Sequence, residues 1–209
     1  HEPNVLIALD NAVPVQAKRL KAIKLSKGTR ALDVGCGTGR HLPLLESYFA
    51  EVYGADVSNE MIKKALKRID LEKTQLLYTD VLRIRGANRY DFIHASLSLM
   101  HIADIRAFFE KVYTLLTPGG VFFCVDADDA RLRLGMAPSF WRDGAEIHVP
   151  FGVHGFDEIV TAAHQCGLVI TESGRIPAPN EVIAQHPKFE RYRGKPCLYY
   201  LTATKEASA

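Results

Sequence analysis

The sequence predicts an α/β protein built on a doubly wound parallel sheet. Three observations carry that reading. Short apolar runs alternate with helical patterns through residues 30–125, the signature of parallel strands joined by crossover helices. The runs are apolar on both faces, as a sheet covered on both sides requires. Three glycines, Gly35, Gly37 and Gly39, close the first run where a strand hands over to a helix, and ligands of such sheets bind at the carboxyl ends of the strands.

Residues 5–25 read as helical with a break at Pro14, and Lys27-Gly28 stops them. The first strand is 30–34, followed by a helix over roughly 40–49. The second strand, 51–55, is closed by Asp56. Ser58 is a plausible N-cap for a helix running to about Ile69. Strands follow at 75–78 and 91–95. Residues 103–116 form an amphipathic helix, with Ile105, Phe108, Phe109, Val112, Leu115 and Leu116 at helical spacing. Pro118-Gly119-Gly120 ends it, and the fifth strand is 121–125. After Asp126 the rhythm breaks, and residues 127–155 read as an insertion or lid. A helix at 156–165 and a strand at 167–170 restore the pattern. A long Pro-containing connection, 175–196, leads to a last strand at 197–203. No repeat or linker divides the chain, so one domain over 1–209 is expected, with 1–25 as an N-terminal helical cap.

About half of the 209 residues are apolar (47%) and 24% are charged, enough for a full core without disulfides or metal. Disordered, collagen-like and coiled-coil classes are excluded. Lys plus Arg is 26 against 24 Asp plus Glu, a net charge of +2. That balance makes no demand for nucleic acid or an anionic membrane, and the basic clusters at 18–30 and 188–195 read as solvated faces. Cys36, Cys124, Cys166 and Cys197 are scattered without a C-x-x-C pair. A disulfide framework or zinc site is therefore not expected, and a reducing cytoplasm is. No apolar run reaches the ~18 residues that span a bilayer, and no signal peptide is visible.

The glycine cluster is the strongest chemical signal. Its glycines let the backbone turn sharply and approach a ligand closely, and the helix that follows would offer N–H groups to an anionic group. Asp56 lies 21 residues after Gly35, where a carboxylate can accept from two ribose hydroxyls. A dinucleotide fingerprint needs G-x-G-x-x-G. Here the spacing is G-x-G-x-G, one residue short. Asp33 sits inside the strand, which is costly unless it has donors to hold. It can orient the glycine loop or receive an ammonium through water.

Leu32-Asp33-Val34-Gly35-Cys36-Gly37-Thr38-Gly39 resembles the first motif of class I S-adenosylmethionine (SAM)-dependent methyltransferases. Tyr53-Gly54-Ala55-Asp56-Val57-Ser58 with Met61 resembles the second, and Thr79-Asp80-Val81 the third. Tyr90-Asp91-Phe92-Ile93 through Leu99-Met100-His101-Ile102 resembles the fourth. Leu115-Leu116-Thr117-Pro118-Gly119-Gly120 resembles the turn before the fifth strand. The five stand in the family's order over residues 28–126. The resemblance implies a Rossmann-like methyltransferase fold with seven mostly parallel strands, the last antiparallel. It also implies SAM as cofactor and S-adenosylhomocysteine as product. Asp33, Gly35, Cys36, Gly37, Thr38 and Gly39 would hold the methionine end. Asp56 would bind the ribose, with Val57 and Met61 against the adenine. Asp80 would accept from the adenine amino group, the Val81 N–H would meet a ring nitrogen, and Ser96 and Leu97 would face the methionine moiety.

Methyl transfer from a sulfonium is an in-line displacement, and a base is needed only for a protonated acceptor. His101, after the fourth strand, is the leading candidate base. Trp141, His148 and His154 in the presumed lid are candidates to touch the acceptor, with Phe140 and Phe151 as a possible aromatic wall. Arg131, Arg133 and Arg142 could recognise an anionic group on it. His94, inside a strand, reads as a core histidine. Arg191-Tyr192-Arg193 mixes charge and aromaticity as single-stranded nucleic-acid sites do. The stretch Ala95-Ser96-Leu97-Ser98 lacks the Asn/Asp-Pro-Pro-Tyr/Phe type of motif that in this superfamily marks attack by amide or exocyclic amino nitrogens. The expected function is SAM-dependent methylation of O or N on a small-molecule acceptor. The alternatives are an RNA nucleobase methyltransferase and a non-catalytic SAM-binding regulator. The glycine spacing and Asp33 disfavour a nicotinamide-dependent oxidoreductase. Oligomeric state is not legible.

Overall fold

A computed structural model of the chain describes residues 7, 8, 10, 29–130, 139–142, 145–148, 154–185 and 187–207. Among them, seven strands form one sheet: β1 (Arg30–Val34), β2 (Glu51–Asp56), β3 (Thr74–Tyr78), β4 (Tyr90–Ser96), β5 (Leu116–Ala127), β8 (Leu168–Pro177) and β9 (Pro196–Lys205). The order is β3-β2-β1-β4-β5-β9-β8. The first five run parallel, and β9 runs antiparallel between β5 and β8. The doubly wound, mostly parallel architecture with an antiparallel last strand is thus the one the sequence predicts. Chain order reverses between β1 and β4, so the crevice at their carboxyl ends is the natural ligand site.

The helices are α1 (Leu42–Glu46), α2 (Asn59–Ala65), α3 (Ile105–Leu115), α4 (Phe156–Gln165) and α5 (Asn180–Gln185). Ser58 caps α2 by accepting from the Met61 N–H, and Asp104 caps α3 by accepting from Ala107. The apolar stripe of α3 packs as its spacing predicts. Phe108 and Phe109 are fully buried and meet the Phe122 ring edge-on at 6.0 and 5.5 Å. Each such side chain contributes roughly 2–3 kcal/mol by burial. Strand alternation divides the core in two: Phe92 joins the Leu42, Leu45 and Phe49 side, while Ile93 and Ala95 join the α3 side.

Two stretches carry more structure than their sequence suggests. Residues 127–155 contain a hairpin, β6 (Ser139–Arg142) with β7 (Ala145–His148). In the region read as a connection, β8 continues to Pro177, and α5 and a 3₁₀ turn over Pro187–Tyr192 follow. Edge position explains why β8 hid. Among the described residues it pairs only with β9, and Glu172 and Ser173 face solvent, so the apolar alternation that marks a half-buried strand is missing. Residues 7, 8 and 10 are helical, as expected of the N-terminal segment, and Pro14 lies outside the described residues. No described helix is long and apolar enough to cross a membrane.

Candidate functional site

A cleft of about 890 Å³ opens at the β1/β4 switch point. The glycine loop forms its floor. Gly35, Gly37 and Gly39 all take the left-handed conformation, with φ of +66°, +54° and +75°, where a Cβ would be strained. Gly35 has a second reason to be glycine: a Cβ there would stand 2.5 Å from Ser98 Cβ. The loop is bound into the protein. The Gly35 and Cys36 N–H groups donate to Ala55 O at 2.8 and 3.0 Å, and Gly39 donates to Cys36 O. Gly37 donates to Asp56 Oδ2 at 2.8 Å. These four N–H groups are therefore satisfied within the chain. The helix that follows, α1, has five residues and no side-chain cap. These four N–H groups are therefore not part of the anion cradle that the sequence suggested.

Asp56 closes β2 and organises the loop from below. Its Oδ1 accepts from the Ser58 N–H at 2.8 Å while Oδ2 holds Gly37. Each oxygen keeps a second lone pair, and the residue lines the cleft. Beside it Val57 is 68% exposed and Met61 36%, so two apolar side chains face the opening rather than the core. Asp80 caps the 3₁₀ turn Val81–Arg83 through the Leu82 N–H, and it also lines the cleft with Val81. Leu82, which sequence reasoning passed over, joins the same wall and is 38% exposed.

Asp33 lies opposite His94 across the β1–β4 pair. Its Oδ1 is 2.7 Å from His94 Nδ1, while its Oδ2 is buried without a hydrogen-bond partner among the described residues and the residue borders the cleft. His94 stacks between Phe92 and Phe123. An in-strand carboxylate is thus held on one oxygen and leaves the other available.

The β4 end is built with strain. Leu97 has φ +52°, a conformation costing roughly 1–2 kcal/mol for a residue with a Cβ. Asp126 offsets it: buried at the end of β5, its Oδ2 accepts from the Ser98 and Leu99 N–H groups at 2.8 and 2.7 Å. The Ser98 hydroxyl donates to Val34 O. The 3₁₀ turn Leu99–His101 follows, and it brings His101, exposed, to the cleft wall with Met100 and Ile102.

His154 stands apart from that wall. Its Nε2 is 2.7 Å from Ile102 O and its Nδ1 3.0 Å from Glu158 Oε1, so it ties the start of α4 to the loop carrying His101. The side chains of Phe140, Trp141, Arg142 and His148 lie outside the described residues, as do Arg131, Arg133 and Phe151. Tyr192 is buried, and Arg193 is engaged by Glu190 and Asn180. That stretch offers no tyrosine face for a base.

Sequence reasoning missed Asp10, Arg40 and His41. The Asp10 side chain is fully buried; it binds the Arg40 guanidinium, accepts from the Ser96 hydroxyl at 3.0 Å and lies 3.3 Å from His41 Nε2. Burial alone would raise its pKa, but hydrogen bonding to His41 and the Arg40 charge overcome that and bring it down to about 2. Burial pushes His41 down as well. A carboxylate depressed in the folded state stabilises above its unfolded pKa, about 3.9. That contribution is lost as pH falls towards 2. Acid unfolding of the Asp10→Asn variant should therefore depend less on pH over that window than that of the parent, as read by circular dichroism.

The family of the methyltransferase domain matches residues 11–172. A demethylmenaquinone methyltransferase of Listeria welshimeri is 26% identical over 136 residues, covering 62% of this chain and 58% of the relative. A ubiquinone biosynthesis O-methyltransferase of Rhodopseudomonas palustris is 28% identical over 166 residues, covering 74% and 64%. The matches thus span less than two thirds of these curated relatives. Among solved structures, a SAM-dependent methyltransferase from Mesorhizobium loti superposes with a TM-score of 0.72 at 19% identity, covering 94% of this chain and 99% of that one. The phosphoethanolamine N-methyltransferase 2 of Haemonchus contortus, solved with SAM, gives 0.68 at 17%, covering 90% and 52%. The [4+2]-cyclase SpnF gives 0.71 at 18%, covering 95% and 83%. With the family matched over most of its length and the fold matched throughout, the chain belongs to the class I SAM-dependent methyltransferases.

Proposed function

We propose that the protein transfers a methyl group from SAM to an oxygen or nitrogen of a small-molecule acceptor and releases S-adenosylhomocysteine. The observation that carries this reading is the cleft itself: Asp33, Asp56 and Asp80 border it, and the glycine-loop N–H groups described above are spent internally. A diphosphate needs several free N–H donors, whereas the ribose hydroxyls, adenine amino group and ammonium of a sulfonium nucleoside need acceptors. In this reading Asp56 takes the ribose hydroxyls on its spare lone pairs. Val57, Met61 and Leu82 sandwich the adenine, with Asp80 and Val81 at its edge. The unpartnered Asp33 Oδ2 faces the methionine ammonium, directly or through water. Gly35–Gly39, with Cys36 and Thr38, and the Ser96–Leu97 turn enclose the methionine chain.

SAM, when bound, supplies an electrophilic methyl group. The chain contributes alignment and exclusion of water. In this reading the turn held by Asp126 carries His101 on the acceptor side of the cleft, and His101 takes the acceptor proton. Residues 127–155, with Trp141 and His148, are assigned to the acceptor side, and His154 ties the start of α4 to the His101 loop. The whole of 1–209 works as one domain. The named activities of the two curated relatives, on demethylmenaquinone and in ubiquinone biosynthesis, favour an acceptor of the quinone or quinol class. The buried Tyr192 weakens the RNA alternative. All four cysteines are free, which fits a reducing cytoplasm.

The test is methyl incorporation from labelled SAM into a panel of phenols, quinols and amines. Incorporation matched by S-adenosylhomocysteine release supports the reading. Binding of SAM without transfer to any acceptor or to RNA would favour the regulator. Within an active assay, His101→Gln should lower turnover about 100-fold with little change in S-adenosylhomocysteine affinity. Equal losses in both would assign His101 to positioning the donor.

A further inference from the structure

We propose that Asp10 is a positioning residue that ties the turn carrying Ile7, Ala8 and Asp10 to both walls of the cleft and neutralises Arg40 beside the cationic donor. The identity of that donor rests on the methyltransferase reading; the latch rests on geometry alone.

Asp10 reaches two walls at once. Arg40 and His41 follow the glycine loop, and Ser96 ends β4, on the other side of the switch point. All three line the cleft. The partners lie 30 and 86 positions away in sequence, so one carboxylate gathers three distant pieces of chain. Ile7, about one helical turn before Asp10, lines the cleft itself and is 42% exposed. When Asp10 is docked, Ile7 forms part of the wall.

The chemistry suits a device that opens. A buried ion pair adds little net stability, because desolvation offsets its attraction. The Arg40 side chain retains 23% exposure while Asp10 has none, and Ala8 packs against the core, so water reaches the pair from the Arg40 side. If a ligand touches the walls that Asp10 draws together, docking and binding must favour each other by the same factor. The pair also sets the local charge. A guanidinium on the cleft wall would repel a sulfonium, and Asp10 cancels it. The demethylated product is a neutral thioether and would not feel that repulsion.

This yields a signature that a merely structural role lacks. SAM and S-adenosylhomocysteine are titrated calorimetrically into the parent chain, Asp10→Asn, and Asp10→Asn combined with Arg40→Gln. Asp10→Asn should lose about tenfold more affinity for SAM than for S-adenosylhomocysteine. The double variant should bring the ratio of the two affinities back towards that of the parent. Amide hydrogen exchange over residues 7–10 of the ligand-free chains reads the latch directly. It should be about tenfold faster in Asp10→Asn, and faster, by a smaller factor, in Ser96→Ala. Ser96→Ala keeps every charge and so covers the case in which Asp10→Asn does not fold. Equal losses for the two ligands overturn the charge role, and unchanged exchange in both variants overturns the latch. Failure of the parent to bind either ligand overturns the donor reading instead, while the exchange result still decides the latch.

Discussion

Asp56→Ala is expected to weaken S-adenosylhomocysteine binding by about 100-fold or more. Two losses combine. The carboxylate would accept from both ribose hydroxyls, and hydrogen bonds to a charged group are worth roughly 1.5–3 kcal/mol each. The same oxygens hold the Gly37 and Ser58 N–H groups at 2.8 Å, so the loop beneath the ligand loosens as well. A net loss of about 3 kcal/mol corresponds to about 100-fold. Asp56→Asn separates the two effects. Its amide oxygen can still take one backbone N–H, so the loop is partly retained while the second acceptor is gone, and an intermediate affinity is expected. An affinity unchanged in Asp56→Ala, measured by calorimetry on folded protein, would remove Asp56 from the ribose role.

Gly35→Ala is the second large effect, and it falls on folding before binding. The new methyl group would stand 2.5 Å from Ser98 Cβ, far inside van der Waals contact. Gly35 already sits at φ +66°, so the backbone cannot turn the group away. Ser98 cannot yield easily either, because its N–H is bound to Asp126 and its hydroxyl to Val34 O. Strain and overpacking together are expected to cost about 3–5 kcal/mol. Gly37→Ala is the control. It shares the left-handed backbone, but a Cβ there meets nothing closer than 4.0 Å, so only the backbone cost of about 1–2 kcal/mol applies. Thermal unfolding of the two variants should rank them clearly. A Gly35→Ala chain as stable as Gly37→Ala would show that the Ser98 contact relaxes freely.

These two residues also show what could be read from sequence. Gly35 and Asp56 were legible because their chemistry is local: a glycine at a strand end and a carboxylate at the next strand end fix each other through a short β-α-β unit. The sheet was legible for the same reason, since each parallel strand leaves an apolar run. Asp10, Asp126 and the pairing of Asp33 with His94 were not. Each acts through contacts 27 or more positions away, and an isolated Asp in a helical or strand pattern looks alike whether it is solvated or buried. Arg40 and His41 adjoin the glycine cluster and could have been suspected from position. Edge strand β8 was missed past Ile170 because its exposed residues obey no apolar period.

The chemistry of the cleft suits a sulfonium nucleoside rather than a dinucleotide. The most direct test is parallel calorimetric titration of the purified chain with SAM, S-adenosylhomocysteine and NAD. Micromolar, one-to-one binding of SAM and S-adenosylhomocysteine, each displacing the other, is expected, with no heat from NAD. Binding of NAD with none of the other two would contradict it and would mean that the glycine-loop N–H groups are freed for a diphosphate.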